Sequence, residues 1–153
     1  MLSAKLIAMI EDNWETIAAR VIGKIRHDPE MTVLRKMPES ELREWGREIT
    51  RNFGHWLASS EPEVARRYES VGRTRFQQSV PLHESVHGLH LVKNAILDFI
   101  RDQGIEQTTV HIYAEEELEH RVGRFFDCVV YHLVKGYEEA LRQAAHMLAA
   151  AGR

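Results

Sequence analysis

From Thr109 to about Ala149 apolar residues recur at spacings of three and four, with Leu118, Val122, Phe125 or Phe126, Val129 and Leu133 as the clearest set. Each residue of an α-helix turns by about 100°, so these side chains form one stripe. Thr108 or Thr109 supplies an N-cap oxygen. At a rise of about 1.5 Å per residue, the segment predicts one helix roughly 60 Å long. That is far longer than a domain of 153 residues needs. Either Gly123 or Gly136 bends it, or its end projects from the body. Its far half, Tyr131 to Leu148, places Val134, Tyr137, Leu141 and Leu148 at coiled-coil spacing, so a homodimer through this C-terminal helix is expected.

Four further helices are predicted ahead of it. Leu6, Ile10, Trp14, Ile17, Val21 and Ile25 make one stripe from about Ser3 to Arg26, and His27-Asp28-Pro29 ends it. The second starts near Pro38, with Glu39 and Glu41 favoured by the helix dipole. Its face is Leu42, Trp45, Ile49, Phe53 and Trp56 or Leu57, and it fades at Ser59-Ser60. Ser60 with Glu63 reads as a capping box for a third, Glu61 to Gln77. The fourth runs from Val80-Pro81 to about Asp102, with Gly104 as its stop. No segment alternates as a strand does. The fold class is therefore all-α: a single helical bundle of about five helices over residues 1–150, with a long C-terminal helix.

Composition narrows the function classes. The formal net charge of −3 offers no basic field for nucleic acid. No apolar run is long enough to span a membrane, and the acidic residues after MLSAKLIAMI come too soon for a secretory leader. Cys128 is the only cysteine, among the large apolar residues of FFDCVVYHL, which suits a buried, inert thiol and a cytoplasmic, reducing compartment. Ser85 lies between histidines in sequence, but neighbours two apart on a helix do not face each other. There is no nucleophile elbow and no Gly-rich phosphate loop, so no catalytic residue is assigned.

The residues closest to chemistry are His83, His87 and His90 in LHESVHGLH. Spacings of four and three put them on one helical stripe, beside the apolar face rather than at its centre. Neutral imidazole ligates zinc or iron, yet two or three histidines on one helix leave a coordination shell incomplete. Glu115 and Glu119 fall on the apolar side of the last helix, where unpaired carboxylates cost several kcal/mol. A composite site of His83, His87, His90, Glu115 and Glu119 for a transition metal is one reading. Edge histidines bonded to water or backbone, with the carboxylates paired to Arg20, Arg73 or Arg75, is the blander one. A pH-responsive contact is a third. Glu117 and His120 have di-iron Glu-x-x-His spacing but face away from the core. For haem, His55, His87 and His132 are the candidate axial ligands; spacing alone shows no globin arrangement of proximal and distal residues, so haem is not expected.

GRTRFQQSVPLHESVHGLHLVKNAILDFI, with Arg75 and Val80-Pro81-Leu82, resembles the Arg-rich stretch and helix start of the RsbRD N-terminal-domain family. RVGRFFDCVVYHLVKGYEEAL, with Phe125-Phe126-Asp127 and Gly136-Tyr137-Glu138, resembles that family's closing helix, and IEDNWETIAARVIGKI its first. The resemblance implies a non-enzymatic helical input domain of bacterial signalling, whose partner is a signalling protein or a fused output module. No such module follows Tyr137-Glu138, so a stand-alone relative or an excised input domain is expected. The alternatives to a signal-input domain are a metal-binding helical protein built on the histidine stripe and a purely structural dimerisation module.

Overall fold

The computed structural model describes residues 2–103 and 108–153. Among the described residues there is no strand. The helices are α1 (Leu2–Asp12), α2 (Trp14–His27), α3 (Glu39–Arg51), α4 (Phe53–Ala58), α5 (Glu61–Gln77), α6 (Leu82–Arg101) and α7 (Thr109–Ala151), with a 3-10 turn at Leu34–Lys36. The all-α bundle and its long last helix are as the sequence predicts. The number of helices is corrected from about five to seven, because the first two expected helices each break at an asparagine. Asn13 (φ −107°, ψ 22°) and Asn52 (φ −106°, ψ 28°) have nearly the same non-helical backbone. Each side-chain amide donates to the carbonyl four residues back, Met9 O at 2.8 Å and Glu48 O at 3.5 Å. Asparagine offers the backbone such local alternatives to helix geometry. The ladder resumes at once, with Ile17 N donating to Asn13 O (3.2 Å) and Trp56 N to Asn52 O (3.1 Å), so neither break becomes a loop.

Of the side-chain N-caps expected at Thr108 or Thr109 and at Ser60, one forms. Thr108 Oγ1 accepts from His111 N at 3.3 Å and caps α7. Ser60 occupies the N-cap of α5, but its hydroxyl makes no cap bond. The expected capping box is not formed; Glu63 N donates instead to the Ser60 carbonyl at 3.1 Å. Gly104 lies outside the described residues.

The whole predicted stripe of α1 and α2, Leu6 to Ile25, is buried. Leu42, Ile49 and Phe53 join it, with Trp45, Trp56 and Leu57 partly covered. Helix α6 is buried more widely than expected: Ser85, Gly88, Val92, Ala95 and Phe99 lie inside as well as Leu89, Ile96 and Ile100. Glu84 is fully buried, and its carboxylate accepts from Thr32 Oγ1 (2.6 Å), Val33 N (3.0 Å) and Leu34 N (3.0 Å). Burial pushes the Glu84 carboxyl up, but these hydrogen bonds outweigh it and hold the group below its usual range. The carboxylate thus organises the approach to the 3-10 turn.

Helix α7 is unbroken over 43 residues, roughly 65 Å by its rise. Neither glycine interrupts it. A Cβ at Gly123 would meet nothing within 4 Å, whereas one at Gly136 would lie 2.0 Å from Glu69 O. Gly72 on α5 is the counterpart: a Cβ there would lie 2.0 Å from Leu133 O. Two glycines therefore let the α5 and α7 backbones touch. Tyr137 turns inward; its hydroxyl donates to Val80 O at 2.8 Å and its ring meets Phe76 edge-on at 5.4 Å. This secures the turn where Ser79 takes a left-handed φ of 59°. Past Ala140 the helix leaves the body, with Leu141 50%, Met147 73% and Leu148 75% exposed. No helix among the described residues is long and apolar enough to cross a membrane.

Candidate functional site

At the α5–α7 contact a histidine of α7 meets two carboxylates of α5. His132 on α7 is only 6% exposed. Its Nδ1 lies 2.8 Å from Glu69 Oε2, and its Nε2 lies 3.4 Å from Glu61 Oε1, both on α5. An ionised carboxylate can only accept, so Nδ1 donates to Glu69, and any proton on Nε2 is donated to Glu61. Cys128 stands one turn before His132 on the same face. Glu61, Cys128 and His132 have ligand atoms within 4.8 Å of one another, the one such group of three among the described residues. Burial pushes the Cys128 thiol up, and Glu61 adds to the effect. The thiol is half-buried rather than enclosed, and it stays protonated and weakly nucleophilic as the sequence suggests.

A cleft of about 410 Å³ opens beside this group. Trp56 and Leu57 of α4, Val64 of α5, and Phe125 and Tyr131 of α7 line it, with Glu61 and Cys128 at its polar side. Behind its Trp56 and Phe125 walls runs an edge-to-face aromatic chain, Trp56 to Tyr68 to Phe125, with Phe53 and Phe126 also against Phe125. Arg121 and Arg124 stand at its α7 side. The cleft thus mixes aromatic and charged walls.

The residues predicted from sequence lie elsewhere. His83 and His87 face solvent, opposite the buried centre of α6, and His90 is half-buried. His87 Nε2 is 3.5 Å from Asp28 Oδ2. Burial holds the His90 imidazole below its usual value, with Lys93 and His87 adding to that and Asp127 opposing it. Glu119 is half-buried and pairs with Arg101 at 3.1 Å. Its partner is thus none of the three arginines expected: Arg20 pairs with Asp102 (3.5 Å), Arg73 with Glu139 (3.3 Å), and Arg75 sits 5.4 Å over the Trp45 ring. Glu115 lines a separate apolar cleft of about 360 Å³ against Leu2, Leu6 and Met9 of α1. The structure does not bring His83, His87, His90, Glu115 and Glu119 to one point. Glu117 and His120 face solvent, as their register requires. Sequence reasoning passed over Glu61, Glu69 and Glu84. The first two are eight apart, hence on one face of α5, but nothing local shows that this face meets His132.

Comparison with known proteins bears on fold and family. The globin domain of E. coli DosC, in its ferrous form, is similar in structure, with a TM-score of 0.71 over 88% of each chain at 12% sequence identity. Comparison with curated proteins returned no match. Residues 15–151 match the family described as the RsbT co-antagonist protein rsbRD N-terminal domain.

The globin likeness removes the ground on which spacing set haem aside, since the framework is present without a visible globin pattern. A globin holds haem iron through a proximal histidine facing an interior pocket. Here His55 and His87 are exposed, and His132 turns both ring nitrogens to carboxylates. His111, beside the apolar cleft on α1, bonds Thr108 through Nδ1. These histidines do not make a haem pocket of that kind.

Proposed function

We propose a function on one established premise: this chain belongs to the RsbT co-antagonist protein rsbRD N-terminal domain family. The proposal is a non-enzymatic signal-input domain whose α7 reports the state of the α5–α7 contact to a signalling partner or a fused output module. One observation carries it. The buried stripe of α7, from Leu118 through Val129, Leu133, Gly136 and Ala140, continues as Ala144, Met147 and Leu148 beyond the end of the body. Apolar residues kept in phase on an uncovered helix need a partner surface. Val134, Leu141 and Leu148 are seven apart, so a second α7 meets the geometry of a two-stranded coiled coil. A homodimer then turns a small change at α5–α7 into a change in how the two helix ends are presented.

Sedimentation equilibrium tests this. The chain should associate to twice its own mass, and Leu141→Glu with Leu148→Glu should return it to a single-chain mass while leaving the helical circular dichroism intact. A dimer untouched by both changes, or a monomer at every concentration, would refute the assignment of the α7 end.

A further inference from the structure

We propose that Glu61, Cys128 and His132 form a site for one transition-metal ion of the zinc class at the α5–α7 contact, with Glu69 as the positioning residue for His132. This goes beyond the signal-input reading and does not depend on it.

The geometry supports each part. Cys128 and His132 are four apart on α7 and present sulfur and Nε2 on one face. Glu61 brings a carboxylate from α5, and all three ligand atoms already lie within 4.8 Å of one another. Zinc bonds of about 2.0–2.3 Å place tetrahedral ligands roughly 3.5 Å apart, so the set must close by about 1 Å. Glu61 is free to do this, because its side chain is 74% exposed. Glu69 accepts from Nδ1 and turns Nε2 toward the site, the carboxylate–histidine pairing that orients metal-bound imidazoles. Nε2 lies 3.4 Å from Glu61 Oε1, close to the spacing of two ligands on one metal ion. A metal ion bound between them takes the place of any proton on Nε2, which is lost to solvent. The Cys128 thiol gives up its proton to solvent when the metal–sulfur bond forms. A thiolate, imidazole and carboxylate set favours zinc, cobalt, nickel or copper over magnesium or calcium. Three protein ligands leave a fourth position for solvent, and Glu61 and Cys128 both line the 410 Å³ cleft. Bound metal would join the start of α5 to the middle of α7.

The test uses the full chain without a tag, titrated with Co²⁺ and then Zn²⁺. One Co²⁺ per chain should bind with tetrahedral d–d bands and a thiolate charge-transfer band, and Zn²⁺ should displace it. Cys128→Ser should abolish the charge-transfer band. Glu69→Gln should weaken Zn²⁺ about 10–100-fold, as loss of an orienting carboxylate does elsewhere. A His83→Ala, His87→Ala, His90→Ala triple variant should bind as the unaltered chain does. Octahedral Co²⁺ without a charge-transfer band in the unaltered chain would overturn the site, even if Cys128→Ser failed to fold. Loss of binding in the triple histidine variant would overturn it in favour of the α6 stripe.

Discussion

Gly136→Ala should destabilise this protein although it replaces glycine by the best helix former in the middle of its longest helix. The new Cβ would stand 2.0 Å from the Glu69 carbonyl oxygen, whereas ordinary contact begins at 3.4 Å. The obstacle is backbone, so no rotamer change relieves it, and the two helices must part by the difference, 3.4 − 2.0 = 1.4 Å. A gap of that size forfeits a large share of the dispersion attraction along the contact. Overpacking costs about 1–3 kcal/mol, and this site belongs near the upper end. Exchanging Gly for Ala in a helix returns about 1 kcal/mol. The expected net loss is about 2 kcal/mol, or a melting temperature lower by roughly 4–8 °C for a chain of this length.

Gly123→Ala is the internal control. It lies on the same helix with nothing within 4 Å of the added carbon. Only the propensity gain of about 1 kcal/mol applies, raising the melting temperature by roughly 2–4 °C. Gly72→Ala should cost about what Gly136→Ala costs, since its Cβ meets Leu133 O at the same 2.0 Å. The double variant should cost less than the sum, because helices already forced apart by one Cβ admit the other more cheaply. Urea denaturation of the four proteins reads all of this. If Gly136→Ala gained stability as Gly123→Ala does, α5 and α7 would not touch there and the close crossing would be refuted.

Two further perturbations test the core and its turns. Glu84→Gln removes the charge that three donors converge on and should cost about 1–3 kcal/mol near neutral pH. The Glu84 carboxyl titrates below its usual 4.5 in the folded chain, so its contribution is complete above that pH and is lost as pH falls through the lower folded value. The stability gap between the two proteins should therefore narrow from about pH 4.5 downward; a pH-independent gap in urea midpoints would contradict the assigned hydrogen bonds. At Ser79 the left-handed φ of 59° costs a non-glycine residue about 1–2 kcal/mol, so Ser79→Gly should melt higher and Ser79→Val lower. The reverse order by calorimetry would mean that the turn is built differently.

Helix content was legible because every core stripe repeats at spacings of three and four, and the burial of Leu6 through Ile25 follows that period directly. The asparagine breaks were not legible, since Asn13 and Asn52 interrupt no stripe and act through their own amides. On α6 the apolar pattern understates the buried face. Leu82 and Val86 lie at the rim, while small residues such as Ser85, Gly88 and Ala95, which carry little hydropathic weight, lie inside. The candidate site was the least legible part. His83, His87 and His90 are conspicuous because they are close in sequence, whereas Glu61, Glu69 and His132 come together only through the α5–α7 crossing. That crossing depends on two glycines that a hydrophobic pattern leaves blank.

On the proposed signal-input reading, the same crossing would decide how far a change in the cleft travels. Cys128 and His132 lie on the body side of Gly136, and Leu141, Met147 and Leu148 lie beyond it. From Gly136 to the end of α7 at Ala151 is 15 residues, about 22 Å of rigid rod. With the crossing as fulcrum, a tilt of about 5° would move the free end by about 2 Å, the scale of helix shift that switches interfaces. A bend at Gly123 or Gly136 would have absorbed such a tilt; the unbroken helix transmits it. On that reading a ligand or metal that stiffened the His132 side of the fulcrum would act on the projecting end without touching it, and the residues that hold α5 against α7 would set both the stability of the fold and the position of the helix end.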